Sequence, residues 1–77
     1  MTKVVYLILA IVTGGDNYEL LKIKYETFLT CDEIYINTVK FKEIGNRTYP
    51  IYLNKIAFAH WCEDEEGNYY YGKEYEW

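Results

Sequence analysis

The stretch VVYLILAIV, residues 4–12, is the longest apolar run in the chain. It has nine residues and the turn sequence GGDN follows it closely, whereas a transmembrane helix needs about 20 apolar residues. Its β-branched and apolar side chains are typical of a strand that is covered on both faces. We therefore predict that residues 3–13 form a buried central strand, and we predict no membrane segment.

Turn signals divide the rest of the chain at GGDN (14–17), GNR (45–47) and EEGN (65–68). Glycine or asparagine at these points supplies the positive φ that tight turns require. Residues 18–24 are predicted to return as a strand with a bulge near Leu20. Residues 33–44 and 48–62 predict a long hairpin, whose second arm is interrupted by a turn or bulge at residues 53–55.

A short helix is predicted between these strands. Tyr25, Phe28 and Leu29 recur at helical spacing, which indicates one or two helical turns over residues 25–31. A longer helix over residues 17–30 is the alternative. The predicted fold class is therefore mainly β, a small antiparallel sheet of about five strands with at most one short helix, or α+β if residues 17–30 are helical.

The length and the charge of the chain restrict its function. Its 77 residues correspond to one domain, which buries only about 60% of the surface of the unfolded chain. Residues 1–62 carry seven basic and six acidic groups, a net charge of +1, and residues 63–77 carry six acidic groups and one lysine, a net charge of −5, which sum to −4. The overall negative field disfavours direct nucleic-acid binding.

The residues with reactive side chains suggest no enzyme. Cys31, His60 and Cys62 offer three ligands of the two types that zinc prefers, but a structural zinc site needs a fourth ligand. The chain has no serine, and no group is evident that would orient His60 beside a nucleophile. We predict no catalytic residue, no metal and no cofactor. Without a secretion signal we expect a cytoplasmic protein whose cysteines remain buried thiols.

The last fifteen residues, EDEEGNYYYGKEYEW (63–77), hold all of the excess negative charge. Their alternation predicts a hairpin loop followed by a terminal strand. One face of that strand would carry Tyr69, Tyr71, Lys73, Tyr75 and Trp77. The other face would carry Tyr70, Gly72, Glu74 and Glu76.

The rings of this strand either cover the core or contact a partner. Tyrosine and tryptophan are favoured where a partner protein is bound, because they supply a large rigid area at low entropic cost. Carboxylates around them suit a basic partner surface. The predicted partner-binding residues are Glu63, Asp64, Glu65, Glu66, Tyr69, Tyr70, Tyr71, Glu74, Tyr75, Glu76 and Trp77.

A first strand followed by TGGDNYELLKIKYETFL, EIYINTVKF, YPIYLNKIAFAHW and an acidic end resembles the short β-rich orphan proteins of phages and mobile elements of low-GC Gram-positive bacteria. That resemblance implies an inhibitor of a host defence protein, such as an anti-CRISPR protein, acting in the host cytoplasm.

We therefore predict a non-enzymatic protein-binding module whose partner is a larger host protein with a basic surface. Two alternatives remain. The first is a self-assembling structural protein, a homodimer that pairs through its terminal strand. The second is a single-strand nucleic-acid-binding protein, which would place Lys22, Lys24, Lys40 and Lys42 on one face.

Overall fold

The computed structural model describes residues 3–72, which form five strands and one helix. The elements are β1 (Lys3–Gly14), β2 (Asn17–Thr27), α1 (Cys31–Thr38), β3 (Lys40–Ile44), β4 (Arg47–Tyr52) and β5 (Lys55–Asp64). The strands are antiparallel and lie in one sheet in the order β2-β1-β5-β4-β3. This confirms the predicted mainly β class with a single short helix. Among these residues, no helix has the length and the apolar character needed to span a membrane.

Strand β1 lies between β2 and β5, and its side chains are buried on both faces. Leu7 and Leu9 point toward α1, on the face that we call the inner face, and are fully buried. Ile8 points to the opposite, outer face and is only 5% exposed, because Lys22 of β2 and Trp61 of β5 flank it. The predicted buried strand is confirmed, although β5 holds the middle position of the sheet.

Strand β2 occupies the segment for which a helix was the alternative. Its register with β1 runs unbroken from Tyr18 to Thr27, and the irregularity lies at the turn, between Val12 and Gly14, so the bulge predicted near Leu20 is wrong. Leu21, Ile23 and Tyr25 alternate with exposed residues and pack against the core. This period of two lets β2 bury one face against β1, which excludes a helix over residues 17–30.

Helix α1 begins six residues later than the predicted helix. Most of its residues belong to the segment 33–44, which was expected to be a strand. Thr30 caps α1, since the Glu33 amide donates to the Thr30 hydroxyl (3.2 Å) and the Thr30 amide donates to the Glu33 carboxylate (2.9 Å). This reciprocal pair satisfies two amides that a helix start leaves free. Ile34 then points into the core and is 1% exposed. The cap and this burial outweigh the β propensity of residues 33–38.

The predicted hairpin around residues 45–46 is present as β3 and β4. The predicted second arm, residues 48–62, is divided into two strands, β4 and β5. Leu53 and Asn54 both adopt positive φ, 52° and 63°, and reverse the chain between them. Pairing of β4 with β5 ends at Ile51. The residue before Ile51 is Pro50, which has no amide hydrogen to donate to a neighbouring strand.

Cys31 and Cys62 form a disulfide, so the prediction of two free thiols is wrong. Cys62 lies on the inner face of β5 opposite Leu7. The cap at Thr30 makes Cys31 the first residue of α1, and the two Cα atoms are 5.7 Å apart, within bonding range. The expectation of free thiols followed from the expected reducing cytosol, so the disulfide gives no support to that compartment.

The predicted terminal strand is not formed over residues 69–72. Tyr69 makes one isolated bridge with Glu63, and the Tyr70 amide donates to the Cys62 carbonyl (2.9 Å). The chain then turns from β5 to the start of α1, where the Cys31 amide donates to the Tyr71 carbonyl (3.3 Å). The remaining predicted part of this strand, with Glu74, Tyr75, Glu76 and Trp77, lies outside the described residues.

Candidate protein-binding site

The loop after β5 is shaped by Asp64. One oxygen of its carboxylate accepts hydrogen bonds from the amides of Glu66 and Asn68, both 2.9 Å long. Gly67 completes the turn with a φ of 86°, a backbone conformation that residues other than glycine rarely adopt. Asp64 therefore has a structural role, while Glu65 and Glu66 lie exposed at the loop.

The three tyrosines after this loop divide between the core and the surface. Tyr70 is only 8% exposed and belongs to the core cluster, so it is not the surface anchor that the sequence suggested. Tyr69 and Tyr71 are 68% and 83% exposed. Their ring centroids are 6.1 Å apart, with the ring planes tilted by 32°. The alternation thus buries one ring and presents two neighbouring rings to solvent.

A close contact between Gly72 and Thr30 holds this segment against the start of α1. A Cβ at Gly72 would lie 2.5 Å from the Thr30 Cγ2 atom and 2.6 Å from the Thr30 Cα atom, which is too close for any side chain. Together with the hydrogen bond from Cys31 to Tyr71, the contact attaches the backbone of the exposed tyrosines to the helix.

The loop after β5 and the tyrosine segment that follows it form one side of an open groove of about 720 Å³, which we call the acidic groove. Among the described lining residues, the carboxylates are those of Glu26, Asp64, Glu65 and Glu66, and the one cation is Lys3. Val4, Tyr69, Tyr70, Tyr71 and Gly72 complete the lining. A groove with exposed rings and an excess of negative charge is suited to an extended segment that carries positive charge.

The acidic groove contains most of the predicted site residues that the structure describes. The exception is Glu63, which points to the outer face beside Tyr6 and accepts a hydrogen bond from the Trp61 indole (3.1 Å). Sequence reasoning missed Glu26 and Val4, because only the register of β1 and β2 pairs them opposite each other. No local pattern marks either residue.

His60 has a structural setting on the inner face. Its ring stacks on that of Tyr35 with centroids 3.7 Å apart, and its Nε2 atom lies 3.6 Å from an oxygen of Asp32. Burial raises the pKa of the Tyr35 hydroxyl above its usual value. The disulfide occupies both sulfur atoms that a zinc site would need. These contacts fasten α1 to β5.

No protein-family model matches this chain, and no curated protein and no solved structure shows significant similarity to it.

Proposed function

We propose that this protein is a non-enzymatic binding module whose acidic groove takes up an extended basic segment of a larger protein. The observation that carries the proposal is the exposed pair Tyr69 and Tyr71 beside the carboxylates of Glu65 and Glu66. Exposed tyrosines supply the rigid contact area that protein interfaces favour, and carboxylates beside them are complementary to a basic partner.

The groove is organised before any partner arrives. Buried Tyr70 and the contact of Gly72 with Thr30 fix the backbone on which the exposed rings stand. Asp64 fixes the loop that carries the acids. Little conformational entropy is then lost on binding, which improves the affinity that a small contact area can reach.

Arginine is the partner residue that best fits this groove. Its planar guanidinium stacks on aromatic rings and also pairs with carboxylates through two hydrogen bonds. Tyr71 and Glu66 both line the groove and offer these two kinds of contact. Lysine would satisfy the charge but not the stacking.

The resemblance to phage proteins extends the proposal to the identity of the partner. An acidic groove competes best for a surface that normally binds a negatively charged ligand. We propose that the partner is a nucleic-acid-binding host protein, such as a defence protein, and that occupation of its basic site inhibits it.

Self-assembly through a terminal strand receives less support. That alternative needs a regular strand from residue 69 onward, but residues 69–72 contribute a single bridge to β5 and then leave it. The described part of this segment therefore offers no strand edge to a second copy.

Site-directed cross-linking tests the proposal in the full-length chain. A photoreactive benzoylphenylalanine replaces Tyr71, and in the matched control it replaces Phe41, which is 51% exposed but lies on β3. After irradiation in a host lysate, we expect the Tyr71 position to cross-link an arginine-rich peptide, identified by mass spectrometry, and the Phe41 position not to do so. Cross-links to a peptide without basic residues, or the same products from both positions, would overturn the proposal.

A further inference from the structure

The register of the sheet gathers most of the cations on the outer face. In the first half of the sheet, Lys22 lies opposite Ile8 and Lys24 lies opposite Tyr6. In the second half, Ile51 lies opposite Lys40, Tyr49 opposite Lys42 and Ile44 opposite Arg47. Residues that are directly paired across antiparallel strands point to the same face.

Strand β5 connects the two halves. Ala57 pairs with Ile11 and is buried on the inner face, so the preceding residue, Ile56, points to the outer face. Ile56 pairs with Ile51, which in turn pairs with Lys40. The next residue, Phe41, must then point inward, and its ring does meet that of Tyr35 on α1, with centroids 6.1 Å apart.

Aromatic rings share this outer face with the cations. Tyr18 and Phe58 are 61% and 54% exposed and meet edge to face with centroids 5.6 Å apart. Trp61 lies opposite Ile8, and the Lys22 ammonium lies 4.6 Å from the centre of the Tyr6 ring. No helix covers this face within residues 3–72, since α1 packs on the inner face.

The local charge of the outer face is opposite to that of the chain. Its strand residues include five cations, Lys22, Lys24, Lys40, Lys42 and Arg47, and two carboxylates, Glu26 and Glu63, a net of +3. Within residues 3–72, none of the five cations makes an ion pair. The net charge of −4 therefore does not describe the field over this face.

We infer that the outer face binds single-stranded nucleic acid, with its cations against the phosphates and with bases stacked on Phe58 and Tyr18. A sheet face that combines exposed rings with dispersed cations is an arrangement that suits such ligands. A duplex cannot offer its base faces to these rings, and an acidic polypeptide would pair with the cations but does not carry an aromatic ring on every charged unit, as a nucleic acid does. The cations and rings of this inference lie outside the acidic groove, and of the charged residues named for the outer face only Glu26 belongs to both surfaces.

Fluorescence anisotropy with a labelled oligo(dT) and an oligo(U) of about 16 nucleotides tests the inference. Between about 50 and 200 mM salt, we expect the logarithm of the association constant to fall against the logarithm of salt with a slope of up to about −3.5, for five phosphate contacts. Lys40→Gln with Lys42→Gln should reduce the magnitude of that slope by about 1.4. Lys55→Gln is the control, because Lys55 pairs with Tyr52 and points inward.

A pair of phenylalanine variants tests the stacking. Phe58→Ala should weaken binding about 5- to 150-fold, while Phe41→Ala, which removes a ring of similar exposure from the inner face, should leave binding unchanged. Tyr18→Ala replaces Phe58→Ala if circular dichroism shows that the latter is unfolded. The inference is overturned if neither oligonucleotide binds, if a duplex or polyglutamate of equal length binds as tightly, or if the Phe58 and Phe41 variants behave alike.

Discussion

The hydroxyl of Tyr70 donates a 2.7 Å hydrogen bond to the carbonyl oxygen of Leu29, a residue 41 positions earlier in the chain. This bond ties the segment after β5 to the residue just before the helix cap. Because Tyr70 is buried while Tyr69 and Tyr71 are exposed, one segment contributes both to the core and to the acidic groove.

Tyr70→Phe should lower the free energy of unfolding by about 1 kcal/mol, because it leaves the Leu29 carbonyl without its donor. Tyr70→Ala should cost about 3–5 kcal/mol through the cavity that it creates. Urea unfolding measures both values. The control is Tyr71→Phe, which removes an exposed hydroxyl and should change stability by less than about 0.5 kcal/mol. Equal effects of the two Phe variants would contradict the assignment of Tyr70 to the core.

Reduction of the disulfide should destabilise the fold by about 3–4 kcal/mol, since Cys31 and Cys62 are separated by 31 residues and the bond restricts a loop of that size in the unfolded chain. Urea unfolding of the native protein with and without a reducing agent measures the loss. The double variant Cys31→Ser with Cys62→Ser should match the reduced protein and should not respond to the reducing agent. Two titratable thiols in the untreated protein would show that the bond is not formed.

Gly72→Ala should loosen the attachment of the tyrosine segment, because the added Cβ would meet the backbone of Thr30 at 2.6 Å. We expect a loss of about 1–3 kcal/mol and faster hydrogen exchange of the Tyr70 amide. Gly67→Ala is the matched control, since Gly67 also has a positive φ but a Cβ there has no neighbour within 4 Å. If Gly72→Ala were no more harmful than Gly67→Ala, the contact with Thr30 would not hold the segment.

Stability should fall at alkaline pH in a way that depends on Tyr35. Its pKa is raised above 10.0 by burial, so the folded state keeps this proton longer than the unfolded state does. The resulting stabilisation is complete below the unfolded pKa and is lost as pH rises through the folded pKa. Comparing the unfolding free energies of the native chain and Tyr35→Phe at neutral pH and above pH 10 tests this. An identical alkaline loss in both proteins would exclude a role for Tyr35.

The sequence was sufficient for those parts of the fold that local patterns determine. The apolar run of β1 and the glycine and asparagine turns predict the strands and the hairpin around residues 45–46. The helix was misplaced because its start depends on the cap between Thr30 and Glu33. The spacing of these two residues is a recognised helix-start signal, and it would have identified α1 despite the strand-like residues that follow.

The disulfide and the acidic groove depend on contacts between distant segments. Cys31 and Cys62 meet only because α1 packs across β5, and Glu26 reaches the groove only through the register of β2. Alternation correctly separated Tyr70 from Tyr69 and Tyr71, but alternation alone does not indicate which face is buried. The position at which α1 starts determines which face of the tyrosine segment is buried.

The acidic groove is tested most directly by a calorimetric titration with a hexa-arginine peptide. The variant Glu65→Lys with Glu66→Lys raises the net charge from −4 to 0. The control Glu19→Lys with Glu43→Lys makes the same change at exposed sites outside the groove. We predict that the groove variant loses at least about tenfold in affinity and most of the salt dependence, and that the control loses much less. Equal losses in the two variants would contradict a specific basic-segment site in the groove.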